Sequence, residues 1–117
     1  MIPPVLFILF IHWLADFVLQ TGHQAITKCN NLTSLLSHTL VYSLCWLVLW
    51  PMLGLNTLFF IGITFLAHTF TDFFTSKLNS KYRLEKKERE LFISVGFDQF
   101  LHYVQLILTY QFCYELA

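Results

Sequence analysis

Four long apolar runs separated by short polar segments set the pattern of the chain. They cover residues 3–20, 32–53, 55–76 and 91–113, each close to the about 20 residues (range about 17–25) that a helix needs to cross a bilayer. Inside the runs, polar residues recur at helical spacing. Ser34, His38, Tyr42 and Cys45 share a face, as do Thr64, His68, Asp72 and Thr75, and then Asp98, His102, Gln105 and Thr109. This period predicts helices and no strands. Pro3 and Pro4 suit the start of the first helix. Trp50-Pro51-Met52-Leu53-Gly54-Leu55-Asn56 carries the Pro, Gly and Asn of a tight turn between the second and third. The expected fold is all-α, an integral-membrane four-helix bundle forming one domain over residues 1–117, with loops at 21–31 and 77–90.

Composition supports a lipid-facing exterior. The 117 residues are 56% hydrophobic and 12% charged, where a soluble domain typically carries about 25% charged residues. Nine charged residues lie between Lys77 and Glu90, and none between Cys29 and Thr71. An ordinary globular domain, a disordered chain and a basic-patch nucleic-acid binder are excluded, so no nucleic-acid partner is expected. Cys29, Cys45 and Cys113 form no C-x-x-C pair and read as free thiols. Met1-Ile2-Pro3-Pro4 lacks the basic start of a signal peptide. All seven Lys and Arg fall in the two loops: Lys28, then Lys77, Lys81, Arg83, Lys86, Lys87 and Arg89. By the positive-inside rule both loops are cytoplasmic, and both termini face the periplasmic side of an inner membrane. Trp46, Trp50, Tyr110 and Tyr114 would form an aromatic belt at that outer face.

The two halves echo each other. His12-Trp13-Leu14-Ala15-Asp16-Phe17 and His68-Thr69-Phe70-Thr71-Asp72-Phe73 both read H-x-x-x-D-F. Two spans separate them, so the copies point the same way, as expected of two tandem helical hairpins in a parallel repeat.

An ionisable residue inside a span costs about 2.5–3.5 kcal/mol on insertion scales and marks function by default. This chain has seven: His12, Asp16, His38, His68, Asp72, Asp98 and His102. His12/Asp16, His68/Asp72 and Asp98/His102 are i, i+4 pairs, each on one helical face. With the helix directions taken into account, every Asp lies nearer the cytoplasm and every His deeper, and His38 falls in the same slab. Imidazole and carboxylate together suit Zn first, with Mn, Fe or Ni also compatible, and bundles build di-metal sites from such inward pairs. One or two divalent ions held by these seven residues is the leading expectation. A metal-free polar core of His–Asp hydrogen bonds and a proton or ion path stay open as alternatives.

These residues also carry a resemblance. His12-Trp13-Leu14-Ala15-Asp16-Phe17-Val18-Leu19-Gln20-Thr21, His68-Thr69-Phe70-Thr71-Asp72-Phe73-Phe74-Thr75-Ser76-Lys77-Leu78-Asn79-Ser80 and Gly96-Phe97-Asp98-Gln99-Phe100-Leu101-His102-Tyr103 resemble a family of small four-span inner-membrane proteins of unknown function from bacteria and phages. Residues 22–31 depart from that family's pattern. The intramembrane His/Asp motifs are distantly similar to those of membrane proteins described as metal-dependent hydrolases.

The function expected from this reading is a metal-dependent membrane hydrolase acting at the cytoplasmic leaflet on a lipid-like or phosphorylated substrate. A metal-activated water would supply the nucleophile, with Asp98 or Asp16 as general base, and Lys77, Lys81 or Arg83 would hold an anionic headgroup. A metal-ion or proton transporter, and a non-catalytic membrane protein that docks a partner, are the alternatives. Membrane lipids are the expected partners, with a protein partner or a second copy bound through the membrane faces or the basic segment 77–90.

Overall fold

The computed structural model describes residues 4–116; Pro3, the expected first residue of the opening helix, lies outside them, as do Met1, Ile2 and Ala117. The described chain is all-helical. Helix α1 spans Val5–Trp13 and continues as a π-helical turn over Leu14–Val18. A short α2, Gly22–Thr27, follows, then α3, Leu32–Leu44. A 3-10 segment, Cys45–Leu49, leads into α4, Trp50–Leu53, and α5 (Asn56–Leu84) and α6 (Glu88–Glu115) complete the chain.

The local sequence accounts for these boundaries. Thr21 Oγ1 accepts from the Gln24 amide while Gln24 Oε1 accepts from the Thr21 amide, a reciprocal cap that starts α2 inside the expected 21–31 loop. Asn31 caps α3 by accepting from the Ser34 amide. Pro51 cannot donate and crowds the carbonyl four residues back, and the chain just before it tightens to 3-10 geometry. Gly54, at φ 58° and ψ −137°, then reverses the chain, a backbone setting open essentially to glycine alone.

The expected 77–90 loop is mostly helix. α5 runs on to Leu84, only Glu85–Lys87 separate it from α6, and Lys86 turns there at φ 56°. Residues 77–84 contain no Gly or Pro, and Lys81 and Arg83 in the last turn favour the negative end of the helix dipole. Loss of hydropathy marks where an apolar environment ends, not where the helix ends. At about 1.5 Å per residue α5 is about 44 Å long, nearly the molecule's 47 Å extent.

Among the described residues three helical stretches are long and apolar enough to cross a membrane: Leu32–Leu53, Asn56–Leu84 and Glu88–Glu115; the first helix, Val5–Val18, is shorter. Large apolar side chains such as Leu6, Leu66, Phe70, Phe97 and Leu108 point outward, and the interior divides in two. One half is an apolar plug that includes Ile8, Trp46, Leu49, Phe60, Leu106 and Tyr110. Trp46 and Tyr110 are therefore core residues rather than members of an aromatic belt, whereas Trp50 is exposed. The other half holds buried His12, Asp16, His38, His68, Asp72, Asp98 and His102.

Candidate metal centre

α1 with its π-turn, α3, α5 and α6 bring all seven of the expected His and Asp residues together. His38 Nε2 and His68 Nε2 are 3.3 Å apart. Asp16 Oδ1 lies 3.0 Å from the first and 3.6 Å from the second. Asp72 Oδ2 lies 3.4 Å from His38 Nε2 and 3.3 Å from His68 Nε2. Two donors on a tetrahedral zinc, each at about 2.0–2.1 Å, stand about 3.3–3.4 Å from one another. The five spacings bracket that value, so this donor set is suited to such an ion.

A second group adjoins it. Asp16, Asp98 and His102 also offer ligand atoms within 4.8 Å of one another. Asp72 faces both ways, with Oδ2 towards His38 and His68 and Oδ1 3.3 Å from His102 Nε2. His102 Nε2 is 3.2 Å from Asp98 Oδ1. Asp72 would thus be able to serve both donor groups, were each to hold an ion.

Asp16 sits in the π-turn, where i→i+5 bonding widens the helix; such turns occur frequently at functional sites. The His12/Asp16 pair keeps only a loose 3.8 Å contact. His12 belongs to neither donor group, because both its ring nitrogens are engaged. Tyr42 OH lies 2.7 Å from Nδ1 and Gln99 Oε1 lies 2.6 Å from Nε2. Gln99 Nε2 donates to Asp98 Oδ2 at 3.1 Å, which fits its amide oxygen facing a protonated His12 Nε2. Thr75 Oγ1 donates to Asp98 Oδ1 at 2.6 Å. Tyr42, His68 and His102 stack, with ring centroids 3.8 and 4.2 Å apart. Among the described residues His68 Nδ1 has no partner.

The three expected headgroup residues part company. Lys77 donates to the Cys29 carbonyl at 2.7 Å and lies over the Phe73 ring. Arg83 lines a small cavity that opens beside Asp16 and Asp98, and Lys81 is exposed away from it. The cation that does reach the centre is Lys28, whose Nζ lies 3.0 Å from Asp72 Oδ2. Burial opposes its charge, but the carboxylates of Asp72 and then Asp16 outweigh that, and its pKa is raised above the ordinary lysine value. Lys28 and Gln99 carried no signal as site residues, because their partners are 44 and 87 positions away. The Thr-x-x-Gln pattern at Thr21–Gln24 was the one cue that could have placed α2, which precedes Lys28.

Residues 5–117 match the model of a family described as "Protein of unknown function (DUF3307)". The chain belongs to this family. No curated protein and no solved structure matches it. Within DUF3307, then, this chain carries a buried centre of two His/Asp groups with donor spacing suited to a divalent ion.

Proposed function

We propose that the protein is a metal-dependent membrane hydrolase whose centre lies in the cytoplasmic half of a four-span bundle in the inner membrane. The observation that carries the metal is the quartet Asp16, His38, His68 and Asp72, whose donor spacings, 3.0 to 3.6 Å, match the edges of a tetrahedral site. Hydrogen bonding alone does not require two imidazole Nε2 atoms to face each other and two carboxylates at once. Two imidazole nitrogens that both face two carboxylates favour a shared cation in place of their protons. The Asp16/Asp98/His102 group, joined to the quartet by Asp16 and faced by Asp72, is the place for a second ion.

A divalent ion here would polarise an ester or phosphoryl oxygen and bring the pKa of a bound water towards about 7. The protein's own residues do the rest. With a single ion in the quartet, Asp98 is left as the general base: it accepts the proton of the attacking water and returns it to the leaving oxygen, and Thr75 and Gln99 hold its carboxylate in place. His12, fixed by Tyr42 and Gln99, supports Asp16. The apolar plug around Trp46 and Phe60 closes the far side of the centre, which supports hydrolysis over passage of an ion. The four-span topology rests on the seven basic residues confined to segments 21–31 and 77–90, with the termini on the opposite side.

The test is elemental analysis of detergent-purified protein, followed by incubation of metal-loaded protein with native lipid extract and mass spectrometry of the products. Stoichiometric metal and turnover that Asp98→Asn abolishes are expected. No turnover with Zn, Mn, Fe or Ni, together with metal flux into proteoliposomes that Asp72→Asn stops, would replace hydrolysis by transport.

A further inference from the structure

We infer that the polar cavity beside the His/Asp centre is a binding site for a phosphoryl oxyanion, with Lys28 and Arg83 as its cationic arms and Ser76 and Gln20 as its uncharged contacts. This rests on the reading of the centre as a divalent-metal site. The cavity, about 150 Å³, lies between the π-turn, α2, α5 and α6, with Asp16 and Asp98 on its inner wall and Arg83 lining it.

Three observations point to an anion. Ser76 Oγ and Gln20 Oε1, which belong to residues lining the cavity, are buried and have no hydrogen-bond partner among the described residues. Buried polar groups are normally satisfied by protein, water or a ligand, and these two stand open to whatever occupies the cavity. The Ser76 hydroxyl donates to an oxyanion directly, whereas Gln20 Oε1 accepts and suits a protonated P–OH oxygen. Arg83 makes no ion pair and no side-chain hydrogen bond among the described residues, although it lines the cavity. Its planar fork suits two phosphoryl oxygens.

Charge is the third observation, and it links the cavity to the metal. The carboxylates of Asp16, Asp72 and Asp98 stand beside the cavity and oppose an anion there. A divalent ion held by them would add two positive charges at the same place. Lys28 Nζ, 3.0 Å from Asp72 Oδ2, is committed to that carboxylate until a metal neutralises it. With the metal in place, the ammonium is free to face the oxyanion.

The phosphoryl group has two sources, a lipid headgroup or free phosphate. An apolar groove of about 470 Å³ runs along α5 and α6, lined by Phe70, Phe74, Leu78, Phe97 and Leu101. Two hydrogen bonds link its lining to that of the cavity. Thr75 on the groove side bonds Asp98 on the cavity side, and Ser94 likewise bonds Asn79, both at 2.6 Å. An acyl chain in the groove would bring a lipid phosphate to that seam.

The experiment uses the full chain, with metal content measured separately and unbound metal removed. Inorganic phosphate binding is followed by calorimetry, and lipid binding by native mass spectrometry from nanodiscs of phosphatidylcholine with or without phosphatidic acid. Metal-loaded protein is expected to bind phosphate or phosphatidate at least about tenfold more tightly than metal-free protein. Arg83→Gln should lose about tenfold and Ser76→Ala a smaller factor, with metal content unchanged and Lys81→Gln neutral. Preference for phosphatidate identifies the lipid source, and binding of inorganic phosphate alone identifies the free one. Protein that holds its metal and binds neither, or binds them equally well as Arg83→Gln, overturns the anion site while leaving the metal centre standing. Protein that holds no metal yet binds phosphate through Arg83 retains the anion site and overturns the metal reading.

Discussion

His38 and His68, on two different helices, bring their Nε2 atoms to 3.3 Å, and each of those atoms lies within 3.6 Å of oxygens from both Asp16 and Asp72. Neither residue could be paired with the other from sequence, since 30 positions separate them. If a divalent ion satisfies the four donors, loss of one should be severe. Asp72→Asn and His38→Ala are expected to lower metal affinity by well over about tenfold, since even an outer partner costs about 10–100-fold. Metal content after dialysis against a graded chelator checks this. Full retention by both variants would leave the centre as a metal-free hydrogen-bonded core.

His12 offers a graded contrast. It bonds Tyr42 and Gln99 and belongs to neither donor group, so His12→Ala should weaken metal binding by about 10–100-fold without changing its stoichiometry. Gln99→Ala should act in the same direction, because it frees both His12 and Asp98. A loss of stoichiometry in His12→Ala would make His12 a direct ligand.

Gly54 tests the turn. Its φ of 58° is unfavourable for any other residue, yet a Cβ there would meet nothing within 4 Å. Gly54→Ala should therefore cost backbone strain alone, about 1–3 kcal/mol. Gly62→Ala, in mid-helix and equally unobstructed, should instead be neutral or stabilising by up to about 1 kcal/mol. Thermal unfolding in detergent separates them, and equal midpoints would remove the strain argument.

Topology is open to direct measurement. Cys29 lies on the side of the basic residues, next to Lys28, and Cys113 is buried near the opposite end of α6. In right-side-out cells a membrane-impermeant maleimide should leave Cys29 unlabelled, and a reporter fused after Ala117 should be active outside. Reporter activity in the cytoplasm would invert the topology or remove a span.

Much of this molecule is local, and the local part was readable. Helical character follows from spacing within each run, the turn at Trp50–Asn56 from Pro51 and Gly54, and the His–Asp pairs from the i, i+4 rule. Even so, hydropathy overstated the 77–90 loop, because a helix carrying Lys, Asn, Ser and Arg continues once it is clear of an apolar environment. The π-turn at Asp16 has no sequence mark of its own, since it depends on what the helix packs against.

The sequence by itself determined that the interior would be polar and titratable, because four apolar helices carrying buried His and Asp can satisfy them only against one another. Tertiary structure alone decided which atoms meet. Packing turned Asp72 towards both donor groups, set Tyr42 and Gln99 on His12, and carried Lys28 rather than Lys77 to the carboxylates. The physical reason is one of range. Hydropathy and helical period are properties of neighbours along the chain, whereas a metal-suited geometry depends on distances fixed to tenths of an ångström by the packing of separate helices.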